Sequence, residues 1–542
     1  MRVMKKLLFL LTLMSHQAIG QPALRFERLD LNAGPNSSSP NNFCIVGNKL
    51  YFTATTPATG SELWVTDGTV AGTQVLEINP GADGSSPSSL HEMAGKLVFL
   101  ASSPTSGMEP WISDGTVAGT QLIKDIMPGT GNSTSELDGA VLNGKMYFAA
   151  DDITYGREIW VTDGTTAGTQ MLIDIRPGFN SSHAAKFITY NNKVYFSAMT
   201  DLTGLELWAT DGTTLGTQMV DSGGPVSPDV FTKALSKLFF RATKGVGTGD
   251  ELWVTDGTTA GTQMLKQINP PGSGTTNEFV EFSNNVYFSA SDGINGAELW
   301  MSDGTAEGTV MVKDINPGVL PSGPVEFEEY NGKLYFNADN GSQGRELWVT
   351  DGTASGTQLV TDIFSGSIGG HPRNLIVYKG YLYFEAIQNG TAGRQLFISD
   401  GSISGTKVVA PTATPPANTV NNPPPALCVY DSMLFFQARY DTTGFELWLL
   451  TNDTSTNIRN HELTASVRIY PNPSNGTFTI ETGNKTFTTA NLEVYDVAGR
   501  LILSQSLAST KENIRLPETA KGMYLVKIAV DDALYATQLI IE

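Results

Sequence analysis

The stretch "SELWVTDGTVAGTQVL" (residues 61–76) decides how the chain is read. It holds one Trp, two Gly and a carboxylate in a short run. Met once, it fits a metal loop, a phosphate cradle or a plain turn. The chain then says it again: "EPWISDGTVAGTQLI" begins at Glu109 and "EIWVTDGTTAGTQML" at Glu158. All eight Trp belong to this phrase, at Trp64, Trp111, Trp160, Trp208, Trp253, Trp300, Trp348 and Trp448, and Phe397 takes the same place in "QLFISDGSISGT". Successive anchors are 45 to 51 residues apart, a period that marks propeller blades or a solenoid.

Strand signals are legible inside one unit. "VEFEEYN" (325–331), "GKLYFNA" (332–338), "RELWVTDG" (345–352) and "GTQLVTDI" (356–363) are short aromatic and β-branched runs bounded by Gly, Asp and Asn. Their connections suit antiparallel neighbours, and no segment of helical period intervenes. Four antiparallel strands per unit make a propeller blade. The Trp on the third strand is placed to fill the space between adjacent sheets. Asp-Gly-Thr/Ser then turns the chain at Asp67, Asp114, Asp163, Asp211, Asp256, Asp303, Asp351 and Asp400. The Asp bonds its own backbone two residues on, and the Gly supplies a positive φ. Eight equal copies describe a scaffold, since a catalytic site needs a unique constellation. Repeated Ca²⁺ binding at these carboxylates is the functional rival to that reading.

The ends of the array complement each other. The ninth unit offers "ALCVYD" (426–431), "MLFFQA" (433–438) and "FELWLL" (445–450), but no Asp-Gly-Thr turn and no fourth strand. "RLDLNAG" (28–34) matches the fourth-strand endings "IKDIMPG" (123–129), "LIDIRPG" (172–178) and "VKDINPG" (312–318). An N-terminal strand completing the last blade removes the free sheet edge. The expectation is a nine-bladed closed propeller over residues 24–450, with an eight-bladed ring containing one irregular unit as the alternative. The two cysteines, Cys44 and Cys428, fall at equivalent innermost-strand positions of the first and ninth blades. An oxidising compartment permits a bridge across the closure. Equivalent positions, however, point the same way around a ring, which opposes one.

Composition narrows the function. The chain has 54 Asp plus Glu against 34 Lys plus Arg, a formal charge of −20. That field repels phosphate backbones, so nucleic acid is not an expected partner. The four His beyond His16 are far apart, no Cys/His ligand spacing is present, and neither a metal nor another cofactor is expected. Residues 1–20 read as a signal peptide: Arg2, Lys5 and Lys6, the apolar "LLFLLTLM" (7–14), and Ala18-Ile19-Gly20 as the cleavage site. No Cys follows the apolar core to carry a lipid anchor, and no later stretch is long and apolar enough for a transmembrane segment.

After a polar linker (451–465) the pattern changes. "VRIYPNPSNGTFTIE" (467–481), "LEVYDVAGRLILSQS" (492–506) and "GMYLVKIAVDDALYATQLIIE" (522–542) alternate apolar and polar residues. Residues 466–542 are therefore expected to form a small Ig-like β-sandwich.

Two resemblances follow from these motifs. E-L-W-x-x-D-G-T-x-x-G-T resembles the ELWxxDGT repeat of secreted bacterial proteins, a family without a general activity to transfer. The tail closely resembles the type A C-terminal sorting domain of the type IX secretion system of Bacteroidetes. That resemblance rests on Tyr470-Pro471-Asn472-Pro473 with Gly476, on Tyr495-Asp496-Val497-Ala498-Gly499-Arg500, and on Gly522-Met523-Tyr524-Leu525-Val526. It implies export to the periplasm, passage across the outer membrane by the type IX machinery, and release or attachment at the cell surface.

Function is expected where the repeats disagree. "PTATPPANTVNNPPP" (411–425) is long and Pro-rich, which suits a displayed contact segment, and "TKGVGTGDE" (243–251) and "DSGGPVSPD" (221–229) depart more modestly. Glu62, Glu109, Glu158, Glu206, Glu251, Glu298, Glu346 and Glu446 precede the anchor aromatic, with Gln395 in the same place. The Gln favours a hydrogen-bonding role over acid–base work. Arg157, Arg345 and Arg394 recur at one repeat position, unlike an arginine cluster built for a carboxylated sugar. No G-x-S-x-G, P-loop or H-E-x-x-H motif is present. The expected function is a secreted or surface-displayed binding scaffold for a protein or glycan. The alternatives are a polysaccharide hydrolase or lyase with its site in the central channel, and a purely structural role in matrix or gliding adhesion.

Overall fold

The computed structural model describes residues 24–541 apart from 33–35, 246–247, 271, 392, 411–418, 421–426, 441–443, 453–467, 482–489, 497–499, 517–520 and 531–532. The signal peptide, most of the linker and Gly499 thus lie outside the described residues. The described elements are β-strands and no helix is among them. The chain divides into two compact units, Leu24–Thr451 and a second containing Asn452–Glu542.

In the larger unit β1 (Leu24–Leu29) precedes a four-stranded antiparallel sheet of β2 (Asn41–Val46), β3 (Lys49–Thr56), β4 (Gly60–Thr66) and β5 (Gln74–Leu76). The same propeller-like blade recurs with each repeat of the sequence. Tight turns link the first and second strands. In Asn143-Gly144 and Asn331-Gly332 both residues have positive φ, which matches the right-handed twist of the flanking strands.

The second strand is buried along its length, because sheets pack on both of its faces. Leu50, Phe52 and Ala54 of β3 enter the core shared with the ninth unit, while Tyr51 enters the core shared with the second. Each aromatic anchor faces back toward the preceding sheet, Trp64 onto the ninth unit and Trp111 onto the first. Trp160, Trp208, Trp253, Trp300, Trp348, Phe397 and Trp448 repeat the arrangement in the cores that follow. Phe52 stacks on Trp64 at 6.3 Å and Phe384 on Phe397 at 5.4 Å. Full burial of such a side chain contributes about 1.5–3 kcal/mol.

The two ends of the repeat array meet. β1 pairs with the third strand of the ninth unit, Glu446–Asn452. Phe445 O accepts the N–H groups of Ser38 and Ser39 at 3.0 Å each. The Tyr430 hydroxyl donates to Asn48 O. Cys44 and Cys428 are free thiols. Cys428 packs against the core between the ninth and first units, and Cys44 against that between the first and second. Both thiols therefore look the same way around the array. Burial pushes each up to about 11.

The Asp-Gly-Thr turns are self-contained. Asp67 Oδ1 accepts from Thr69 N at 2.9 Å and from Thr69 Oγ1 at 2.8 Å, and Gly72 N donates to Thr69 Oγ1 at 2.9 Å. The pattern returns at Asp114, Asp163, Asp211, Asp256, Asp303, Asp351 and Asp400. Hydrogen bonds from Thr hold the carboxyls of Asp114, Asp163, Asp211, Asp256, Asp303 and Asp351 below the usual range.

In the tail unit, Arg468–Tyr470, Thr477–Glu481 and Lys511–Arg515 form one sheet. Ala490–Asp496, Leu501–Ser506, Gly522–Val530 and Ala533–Ile541 form another. Phe478 and Ile514 from the first sheet share a core with Leu492, Val526 and Leu539 from the second. The strand Lys511–Arg515 is an element the alternation pattern did not disclose.

Candidate binding site at the loop-bearing face

Antiparallel order puts the tight first turn and the Asp-Gly-Thr turn at one end of every sheet. The second-to-third loop and the connection to the next unit lie at the other end. The repeated Glu stands there, at the start of the third strand. Glu298 accepts from Ile315 N (2.7 Å), Ser322 N (2.9 Å) and Ser322 Oγ (2.6 Å). Glu446 treats the closing segment alike, accepting from Leu31 N and from the N–H and hydroxyl of Ser38. Desolvation pushes Glu158, Glu206 and Glu346 up to about 7. Glu62, Glu109, Glu158, Glu251, Glu298, Glu346 and Glu446 thus tie the following connection to their sheet, a structural task, whereas Glu206 Oε2 is buried without a partner.

Diversity is concentrated one strand inward. Between the repeated Phe and Ala of the second strand stand Thr53, Leu100, Ala149, Ser197, Arg241, Ser289, Asn337, Glu385 and Gln437. Several of these pair with the start of the first strand, where charge also varies. Arg241 Nε donates to Asp229 Oδ1 at 2.8 Å. Arg373 Nε donates to Glu385 Oε2 at 3.1 Å, with Glu385 fully buried. First strands also carry non-Gly residues in the left-handed region, among them Asn42 (φ 55°), Lys186 (φ 61°), Glu326 (φ 62°) and Asn374 (φ 53°). These residues recur at one repeat position, beside the register shift of each first strand, and so belong to the scaffold.

The seventh and eighth units bring the densest group together. Arg345 Nη1 donates to Asn337 Oδ1 at 2.7 Å, and Asn337 Nδ2 to Pro372 O at 2.6 Å. His371 N donates to Arg345 O, and Arg394 Nη1 reaches His371 O at 2.5 Å. Burial lowers both Arg345 and Arg394, and the Arg373 charge lowers Arg394 further. Burial pushes Glu385 up to about 7 against the pull of Arg373 and Arg394. Sequence spacing alone set Arg345 and Arg394 apart as scaffold. The fold joins them to Arg373, which holds a different repeat position, while Arg157 stays with its own Asp151 at 3.2 Å.

Neighbouring carboxylates are occupied. Glu278 accepts Glu326 N (2.9 Å) and Phe327 N (3.3 Å), and Glu326 accepts Asn374 N (2.7 Å). Among the described residues no group of three or more His, Cys, Asp or Glu is placed to hold a metal ion.

Of the divergent loops, Val226–Ala234 is a strand whose Val226 pairs with Glu206. Part of 243–251 lies outside the described residues, and Thr248 Oγ1 closes that loop onto Gly245 O at 2.8 Å. The Pro-rich segment is described only at Thr419–Val420, which pairs with Arg394 on one side and Ala438 and Arg439 on the other. That piece stitches the eighth unit to the ninth instead of standing free.

The tail motifs secure the last strand. Asn472 Oδ1 accepts Ile540 N at 2.9 Å, and Ser474 N donates to Ile540 O at 2.8 Å. The Pro471 and Pro473 peptide bonds are cis. Gly476 turns with φ 94°, and Gly522 (φ 148°) opens the strand that carries buried Tyr524. The Tyr470 hydroxyl donates to Glu481 Oε2 at 2.8 Å, and that of Tyr495 to Glu493 Oε2 at 2.7 Å. Arg500 N donates to Asp496 Oδ1 at 2.9 Å.

Residues 468–542 match the secretion system C-terminal sorting domain family. The chain therefore carries a type IX sorting tail, which indicates secretion to the cell surface or beyond. Among the described residues no helix is long and apolar enough to cross a membrane. Comparison with curated proteins finds no match. Among solved structures, PorZ, a surface component of the type IX secretion system of Porphyromonas gingivalis, is 12% identical with a TM-score of 0.25, over 93% of this chain and 86% of that one. TolB from Acinetobacter baumannii is 12% identical with a TM-score of 0.27, over 48% and 62%. A puromycin-hydrolysing peptidase of Mycobacterium tuberculosis is 11% identical with a TM-score of 0.34, over 64% and 57%. The chain spans 58% of the first puromycin hydrolase it resembles. Likeness at this level says nothing about activity.

Proposed function

We propose that this is a binding protein of the outer cell surface, a member of the ELWxxDGT-repeat proteins of Bacteroidetes. In this reading its sheets form a closed nine-bladed ring, exported by a leader at residues 1–20 and by an Ig-like sorting domain. The shared core of the ninth and first units and the pairing of β1 support closure, since an open array needs neither. Ligand is bound at the channel mouth on the loop-bearing face. One observation carries this. Along the second strand Phe and Ala are retained while the residue between them runs through Thr, Leu, Ala, Ser, Arg, Asn, Glu and Gln. A scaffold position keeps its chemistry, whereas this one is varied blade by blade where the sheets approach the channel. Binding is favoured over hydrolysis because Glu278 and Glu326 spend oxygens on backbone N–H groups and so do not stand as a free acid–base pair. Glycan arrays and outer-surface extracts probed with the purified protein test the reading: retention that is lost on combined Arg241→Ala and Arg373→Ala substitution supports it. Turnover of a retained polysaccharide refutes it.

A further inference from the structure

We infer that the junction of the seventh and eighth units binds the carboxylate of an acidic sugar, with Arg394 and Arg373 as its anchors and Glu385 Oε1 beside a sugar hydroxyl. The inference rests on the mouth-binding reading above.

The repeat itself exposes the anomaly. In the third unit Asp151 pairs in register with Arg157, and in the seventh Asp339 pairs with Arg345. In the eighth unit the residue opposite Arg394 is Ile387. The arginine is kept and its acidic counterpart is gone. Arg394 Nε is buried and has no hydrogen-bond partner. Its Nη1 donates to His371 O, a neutral carbonyl. The nearby Arg373 charge works against it while the Glu385 and Glu326 charges work for it, and a further anion would take the Nε donor that neither carboxylate reaches.

A second orphan adjoins. Glu385 is fully buried, and its Oε1 has no partner although Oε2 takes Arg373 Nε. A buried carboxyl oxygen left unpaired costs about 1–3 kcal/mol, and a ligand hydroxyl would relieve it.

The ligand class follows from charge and shape. One carboxylate set among neutral hydroxyls matches an arginine pair beside an orphan acceptor. A uronic acid residue has that chemistry.

The test is calorimetric titration of the full chain with a galacturonic acid trimer, the neutral galactose trimer and a triglutamate peptide. The acidic sugar is expected to bind at least tenfold more tightly than either control. Arg394→Ala is expected to weaken it at least tenfold, and Arg373→Lys, which keeps the charge and the fold but loses the fork, at least threefold. Lys96→Ala, on an exposed turn at the other end of the sheets, is expected to change nothing. Equal binding of triglutamate, equal binding of the neutral trimer, or no binding of the acidic trimer overturns the inference. If surface extracts are still retained by the unsubstituted protein in that case, the mouth-binding reading survives alone; if they are not, both fall.

Discussion

The glycine of each Asp-Gly-Thr turn is held by the neighbouring sheet as well as by its own dihedral angle, and Gly212→Ala separates the two contributions. Gly212 has φ 95°, and a methyl group built there would overlap the Tyr147 hydroxyl of the preceding unit, with Cζ at 3.3 Å. Tyr147 is only 4% exposed and has no room to retreat. The left-handed backbone costs about 1–2 kcal/mol for a residue with Cβ. Overpacking against a rigid neighbour adds about 1–3 kcal/mol. The single substitution is thus expected to destabilise by about 2–5 kcal/mol. Tyr147→Phe removes the overlapping oxygen, leaves Cζ as the nearest ring atom, and by itself costs about 1 kcal/mol or less. In the double variant the packing part disappears and about 1–2 kcal/mol remains. Urea denaturation followed by Trp fluorescence gives the four free energies of this cycle, and the coupling is expected to be about 1–3 kcal/mol in favour of the pair. A coupling below about 0.5 kcal/mol would refute the idea that inter-unit contact selects this glycine.

Three other outcomes are expected. Glu298→Ala leaves Ile315 N and Ser322 N without their buried acceptor and should cost about 2–5 kcal/mol in the same assay, whereas Glu298→Gln, which copies Gln395, should cost less than half as much. Stability should fall as pH rises from about 4.5 to 7, because desolvation pushes Glu158, Glu206, Glu346 and Glu385 up to about 7. Their raised values favour the folded state fully below the ordinary Glu range, and that advantage is lost as each deprotonates; a stability that climbs across this window contradicts the assignment. Cys44 and Cys428, pushed up to about 11 by burial, should resist iodoacetamide at pH 7.5 in the native protein and react promptly once it is unfolded, read by mass spectrometry.

Local chemistry was legible wherever a residue's role closes within its own unit. The Asp-Gly-Thr/Ser turn reads correctly from eight short stretches because donor and acceptor stand two or three residues apart. The alternation of Leu50, Phe52 and Ala54 against Tyr51 carries no polar face, because neighbouring sheets cover both sides of the strand. The hydrogen-bonding role of Glu298 was visible from Gln395 in the matching place, although its partners, up to 24 residues away, were not. The site was less legible. Arg345, Arg373, Glu385 and Arg394 look like members of three unrelated repeat columns until two sheets are set side by side. The Pro-rich segment read as a displayed loop, but Thr419–Val420 is bound on both edges, since unpaired N–H and C=O groups of two neighbouring strands were available to it.

By itself the sequence determined the repeat, the strand order within a unit, the turn chemistry, the sorting tail and the complementarity of the two ends, all of which depend on spacing along one chain. Tertiary structure alone decided which sheets share a core, that both cysteine thiols look the same way, and that Arg345 of the seventh unit and Arg394 of the eighth meet across His371. The division has a physical cause. Hydrogen bonds within a hairpin fix residues a few positions apart, and a periodic pattern records them. Packing between sheets and desolvation at their mouth act through space on residues about 50 positions apart, so Arg345 and Arg394 become neighbours across His371 only once the sheets are stacked.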